Sequence, residues 1–197
     1  MLEKRRWFLK TLGTTVGASA AATLITSAGL TSAFAYTPRN ESALLDGKLL
    51  NKGHMKLLHD ICETVLPRTD TPSAAEVDCH GFIDHQLGQC HTKQQQESVK
   101  TLLNTIEGRA QSLYTSSYTE LTAKQKTDLL IAVEAKQGFS DSQLTDFKFL
   151  KGLIIFGYFT SEVGATQALT YQAVPGGYKG SIPMTPNTKA YGSLNFY

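Results

Sequence analysis

The chain has 197 residues, 41% of them hydrophobic and 18% charged, with a formal net charge of +2, which is enough for one domain with its own apolar core. Residues 1–35 hold four of the 19 Lys/Arg and one of the 17 Asp/Glu, so the remaining 162 residues carry 15 basic and 16 acidic side chains, a net of −1. A near-neutral body without a basic run excludes nucleic acid as a partner, and no stretch after residue 35 approaches the length of a membrane span.

The opening segment reads as an address. Arg5-Arg6-Trp7-Phe8-Leu9-Lys10 matches the twin-arginine pattern R-R-x-F-L-K, with Arg5, Arg6, Phe8 and Leu9 in the defined positions and Lys4 where Ser or Thr is usual. No charge occurs from Thr11 to Pro38, yet the stretch is rich in Ala, Gly, Thr and Ser, which makes it less apolar than a stable span. Ala33-Phe34-Ala35 supplies a small-x-small cleavage site and places the mature N-terminus near Tyr36. A retained N-terminal anchor is the alternative, and in both cases the body is expected in the periplasm. The twin-arginine route moves folded cargo, so this chain either holds a cofactor or travels with a partner that does.

Residues 36–50 form a polar linker arm without periodicity, and a helical domain is expected over 51–170. Its first helix runs from Lys52 to Leu66, where Met55, Leu58, Cys62 and Val65 make one apolar stripe ended by Pro67. Arg68 to Ala75 is a turn-rich loop, after which Phe82, Ile83 and Leu87 predict a short helix interrupted near Gly88. Val99, Leu102, Leu103, Ile106, Ala110 and Leu113 recur at spacings of three and four, predicting a long helix over Lys93 to Tyr114. Thr122 to Gln125 is a capping box opening a helix that carries Leu129, Leu130 and Val133 and ends at Gly138. The next helix, capped by Asp141 or Ser142, holds Leu144, Phe147, Leu150, Leu153, Ile154 and Phe156 and is apolar enough to be the central one. Residues 171–197 are an irregular Gly/Pro/Tyr-rich C-terminal arm. Tyr158, Phe159, Tyr171 and Tyr178 are aromatic candidates for docking a partner, and a tail folded back on its own helices is the competing reading. The fold class is therefore mainly α, a single helical domain between a cleaved N-terminal signal and an extended tail.

Chemistry-bearing motifs are scarce. The sequence has no phosphate loop, GxGxxG, GxSxG, CxxC or CxxCH, so no catalytic, cofactor-binding or metal residue is assigned. The one dense group is Cys79, His80, Asp84, His85, Cys90 and His91, in which His80 and Asp84 at i, i+4 share a helix face. Its cysteine spacing fits neither a zinc finger nor a ribbon, and a stand-alone periplasmic metal-binding protein or enzyme using the cluster is the runner-up function. His54 and His59 lie on the first helix and read as surface or interfacial residues. Cys62, Cys79 and Cys90 allow one bridge with a thiol left over, or three buried small side chains, and the pairing stays open.

Three segments resemble subunit 3, the small or gamma subunit, of the gluconate 2-dehydrogenase type of membrane-associated flavin dehydrogenase. They are ETVLPRTDTPSAAEVDCHGFIDHQL (Glu63 to Leu87), ELTAKQKTDLL (Glu120 to Leu130) and FGYFTSEVGATQALTYQAVPGGYKG (Phe156 to Gly180). Ser73 departs from the family pattern, which has Gly after the Pro of the turn. The resemblance implies a non-catalytic subunit without a redox centre of its own. Its implied partners are a large flavin subunit of the glucose-methanol-choline type, carrying FAD, and a multihaem cytochrome c subunit, through which the complex associates with the membrane. It further implies that this chain carries the flavin subunit through twin-arginine export.

Overall fold

The computed structural model describes residues 36–39, 41–171, 176–177, 181 and 183–190. The chain divides into Met1–Tyr36 and Thr37–Tyr197, and the second unit holds the helical body. The leader residues Arg5, Arg6, Phe8, Leu9, Ala33 and Ala35, and Tyr178 of the tail, lie outside the described residues.

Five α-helices make up the body: α1 (Lys52–Val65), α2 (Cys79–Cys90), α3 (Lys93–Tyr114), α4 (Ala123–Glu134) and α5 (Asp141–Thr160). Single 3-10 turns occur at Ser42–Leu44 and Tyr118–Glu120, and a π turn at Gly164–Ala168. Among the described residues there is no β-strand, and no helix is long and apolar enough to cross a membrane.

Helix starts follow from local chemistry. Asn51 caps α1 by accepting the His54 N–H, while α3, α4 and α5 each open with a reciprocal capping box, Thr92/Gln95, Thr122/Gln125 and Ser140/Gln143. The cap of α5 is thus Ser140 rather than Asp141 or Ser142, because only Ser140 stands three residues before a Gln that can reach back. Gly88 does not interrupt α2, which continues to Cys90. A helical Gly costs only about 1 kcal/mol, less than the fully buried Leu87 and Ile83 on the same helix supply. Gln96 of α3 also secures that helix end, its Nε2 donating to Leu87 O and His91 O at 2.8 and 3.1 Å.

Helices α1 and α5 each touch all the other helices. The α2/α5 crossing is close: a Cβ at Gly157 would approach the Phe82 ring at 2.7 Å. Ile61, Ile83, Leu103, Ile106, Phe147, Leu150 and Ile154 fill the centre. Leu113 belongs to the sequence stripe of α3 but is 50% exposed, because the stripe outruns the helices that cover it. Ser73 is accommodated without a positive φ, and its hydroxyl accepts the Glu76 N–H at 3.3 Å.

The stripe of α3 makes two positions directly comparable. Ile106→Ala should cost about 2–5 kcal/mol in urea denaturation, whereas Leu113→Ala should stay within about 0.5 kcal/mol. Equal costs at the two positions would contradict this packing.

Candidate functional site

The polar groups of α2 are where chemistry concentrates, and their partners come from the segment before α1. Asp84 is 1% exposed and accepts three successive backbone N–H groups, from Lys48 at 2.6 Å, Leu49 at 3.0 Å and Leu50 at 2.8 Å. This is how a buried carboxylate is tolerated away from water. The geometry requires glycine at 47, since a Cβ there would overlap the Asp84 carboxylate. One turn earlier, Asp78 occupies the left-handed region at φ 60° and caps α2 without a side-chain bond. Its carboxylate turns instead to the arm, accepting the Arg39 N–H at 2.7 Å and the Ser42 hydroxyl. The stretch that reads as a polar arm is therefore clasped onto α2 at both ends.

Ser42, His80 and Asp78 have the composition of a hydrolytic triad but not its wiring. In such a triad the acid holds the ring nitrogen that the serine does not touch. Here Ser42 Oγ lies 2.6 Å from His80 Nε2, Asp78 Oδ1 lies 3.4 Å from the same nitrogen, and His80 Nδ1 is buried without a partner. The Asp78 carboxylate takes the Ser42 proton, so the Ser42–His80 contact must be carried by a hydrogen on Nε2. The neutral ring is thus the Nε2–H tautomer, which cannot act as a base toward Ser42, and Ser42 is only 3% exposed. Burial pushes His80 down to about 4, against the attraction of Asp78 and with the help of His59, whose ring meets it edge-on at 4.9 Å.

The surrounding donors diverge. Cys62 and Cys79 are buried free thiols; burial holds Cys62 well above the ordinary thiol range and pushes Cys79 up to about 12, so neither is a nucleophile near neutrality. Cys90 is an exposed free thiol against Gln86, and His91 packs on the Phe149 ring at 5.2 Å. His80 and Asp84 do face one way, but the arm occupies that face. Among the described residues no three His, Cys, Asp or Glu side chains are placed to hold a metal ion. Behind His59, burial would raise Asp60, but bonds from His59 and from Lys126 Nζ at 2.6 Å outweigh it and lower the carboxyl.

The second candidate region is the end of α5. Tyr158 is 5% exposed; its hydroxyl donates to Pro72 O at 2.9 Å and meets Thr71 Oγ1 at 2.7 Å, which ties α5 to the 67–78 loop. Phe159 is half-buried against the Tyr158 ring at 5.2 Å. Ser161 ends the helix, donating to Tyr158 O at 2.7 Å and accepting the Gly164 N–H at 3.1 Å. A Cβ at Gly164 would fall on the Tyr158 carbonyl oxygen, so only glycine fits that fold of the chain. Beyond it the tail returns: Thr170 N donates to Ala190 O at 2.8 Å, and Lys189 Nζ to Gln167 O. Tyr171 remains 62% exposed.

A family model for gluconate 2-dehydrogenase subunit 3 matches residues 52–176. The chain belongs to the gluconate 2-dehydrogenase subunit 3 family. It is therefore a subunit of a multisubunit complex of the gluconate dehydrogenase type. The match runs from the start of α1 through the Tyr158–Ser161–Gly164 turn, so it spans all five helices. Searches of curated proteins and of solved structures return no match. The Phe156 to Gly164 part of the motif is explained by architecture: Gly157 admits Phe82, Tyr158 fastens the loop, and Ser161 with Gly164 turns the chain. Sequence reading missed Ser42, Gly47 and Asp78, whose roles depend on partners 36 or more residues away.

Two measurements follow from the cluster. Asp84→Ala leaves three arm N–H groups without their acceptor and should cost at least about 2 kcal/mol in urea denaturation. His80 is neutral in the fold but takes up a proton in the unfolded chain below its ordinary value of 6.5, so stability should fall as pH drops from 6.5 toward about 4. Thermal melts across that window should show the decline in the parent chain and a shallower one in His80→Gln.

Proposed function

We propose that this chain is the non-catalytic subunit of a periplasmic FAD-dependent sugar or sugar-acid dehydrogenase complex, and that it assists assembly and twin-arginine export of the flavin subunit. The family match over residues 52–176 carries the reading. Two features support it. The densest polar cluster of the body is engaged by the chain's own arm. The leader, with Arg5 and Arg6 in a folded-export pattern, is what a carrier subunit needs if its flavin partner lacks a signal. FAD and haem c would then reside in the large and cytochrome subunits, and the complex would meet the membrane through those partners.

For docking, the candidate aromatics divide by exposure. Tyr158 is committed to its own loop, while Tyr171, 62% exposed, is the better anchor. Replacing Arg5 and Arg6 by Lys should retain both this chain and its flavin partner in the cytoplasm, as read by fractionation and immunoblot; arrival of either in the periplasm would refute the carrier role. Tyr171→Ala should weaken partner pull-down by about thirtyfold, equivalent to about 2 kcal/mol, without moving the melting temperature of the lone subunit. A lowered melt with intact pull-down would assign Tyr171 to the chain's own stability instead.

A further inference from the structure

The N-terminal arm is held to the body in an unusual way. Among the described residues of the arm Ser42 and Leu50 are buried, Leu50 within the core with Leu49 packed against it, while Leu44 and Leu45 are 51% and 52% exposed, so the stretch before Gly47 has little apolar fastening. Its attachment is mainly polar: Arg39 N–H and the Ser42 hydroxyl to Asp78, Ser42 to His80, and three N–H groups to Asp84. Segments fastened by few apolar contacts open before the core does.

His80 makes one of these attachments conditional. Its Nε2 carries the hydrogen that meets Ser42, so acid can add a proton only at Nδ1, which is buried and has no partner. The groups facing the ring come from every element around it. Ser42 approaches from the arm, Asp78 from the loop before α2, and His59 from α1, with Asp60 behind it paired to Lys126 of α4. Cys62 and Cys79 lie alongside Asp78 as neutral thiols. Asp78 favours the imidazolium, but its oxygens already take the arm's Arg39 and Ser42 hydrogens. Lifting the arm opens the Nε2 edge of the ring to water and frees Asp78 to pair fully with the charged ring, so the proton binds the lifted state more tightly than the clasped one.

We propose that Ser42, His80 and Asp78 form an acid-released latch, in which protonation of His80 at Nδ1 frees residues 39–46 while the Asp84 clasp of Lys48 to Leu50 and the helical core stay in place. The inference stands on the cluster's geometry and is independent of the export reading.

Hydrogen exchange of the full chain, followed by mass spectrometry and corrected for intrinsic rates, tests it. Between about pH 6.5 and about pH 4.5 the 39–46 segment should lose about tenfold in protection and stay far less protected than the α3 peptide, which exchanges through global unfolding. His80→Gln, whose amide can still donate to Ser42 but does not titrate in this range, should keep the arm protected. An arm that stays closed in the parent chain, an arm and α3 that open together, or an unchanged opening pH in His80→Gln would each overturn the proposal. Should His80→Gln fail to fold, the imidazole proton shifts of the parent chain decide: a His80 midpoint coincident with arm release supports the latch, and one more than about a unit away removes it.

Discussion

Two buried carboxylates, Asp78 at the start of α2 and Asp84 within it, must be hydrogen-bonded if they are to be dry, and the N-terminal half of the structure is arranged around that requirement. An ionised carboxylate in an apolar setting is tolerated only when strong donors replace its lost water. Asp84 finds them in three consecutive amides, Asp78 in one amide and one hydroxyl. From this follow the path of residues 39–50, the need for glycine at 47, the left-handed turn at Asp78 and the tautomer of His80. Remove the carboxylates and nothing of comparable strength tells the arm where to lie.

A matching constraint acts at the other end of the chain. Helix α5 is apolar on nearly every side, as a helix in contact with all the others must be. Its last turn is where that packing has to stop. Tyr158 buries its ring and delivers its hydroxyl to Pro72 and Thr71, and Ser161 closes the helix end with both a donated and an accepted bond. Gly164 then lets the chain pass against the Tyr158 carbonyl. At Gly157 and Gly164 of this motif a larger side chain would collide with the Phe82 ring and the Tyr158 carbonyl.

Both ends thus use their polar groups to hold the chain to itself. For a subunit of a multisubunit dehydrogenase complex this is a coherent division of labour: the body supplies a stable surface and a defined arm. Binding energy toward another subunit then has to come from exposed groups, of which Tyr171 is an aromatic example among the described residues.

The sequence alone determined the helices, because their signals are local. Apolar residues at three- and four-residue spacing and the T-x-x-Q box at Thr122 act within one or two turns, so α1, α3 and the start of α4 are legible within a residue or two, whereas α4 ends at Glu134 and not at the expected Gly138. The Tyr-x-Thr-Ser run was also visible as a family motif, though not the reason for it. The candidate site was far less legible. Cys79, His80, Asp84, Cys90 and His91 look like one cluster in the chain, yet α2 sends the thiol of Cys79 toward α5, His80 and Asp84 toward the arm, and Cys90 to solvent. Ser42 and Gly47 carry no signal of their own, since a serine and a glycine in a polar stretch read as linker. Their meaning comes from contacts across 36 to 38 residues, and only the tertiary structure brings a carboxylate and an imidazole to the backbone that must satisfy them.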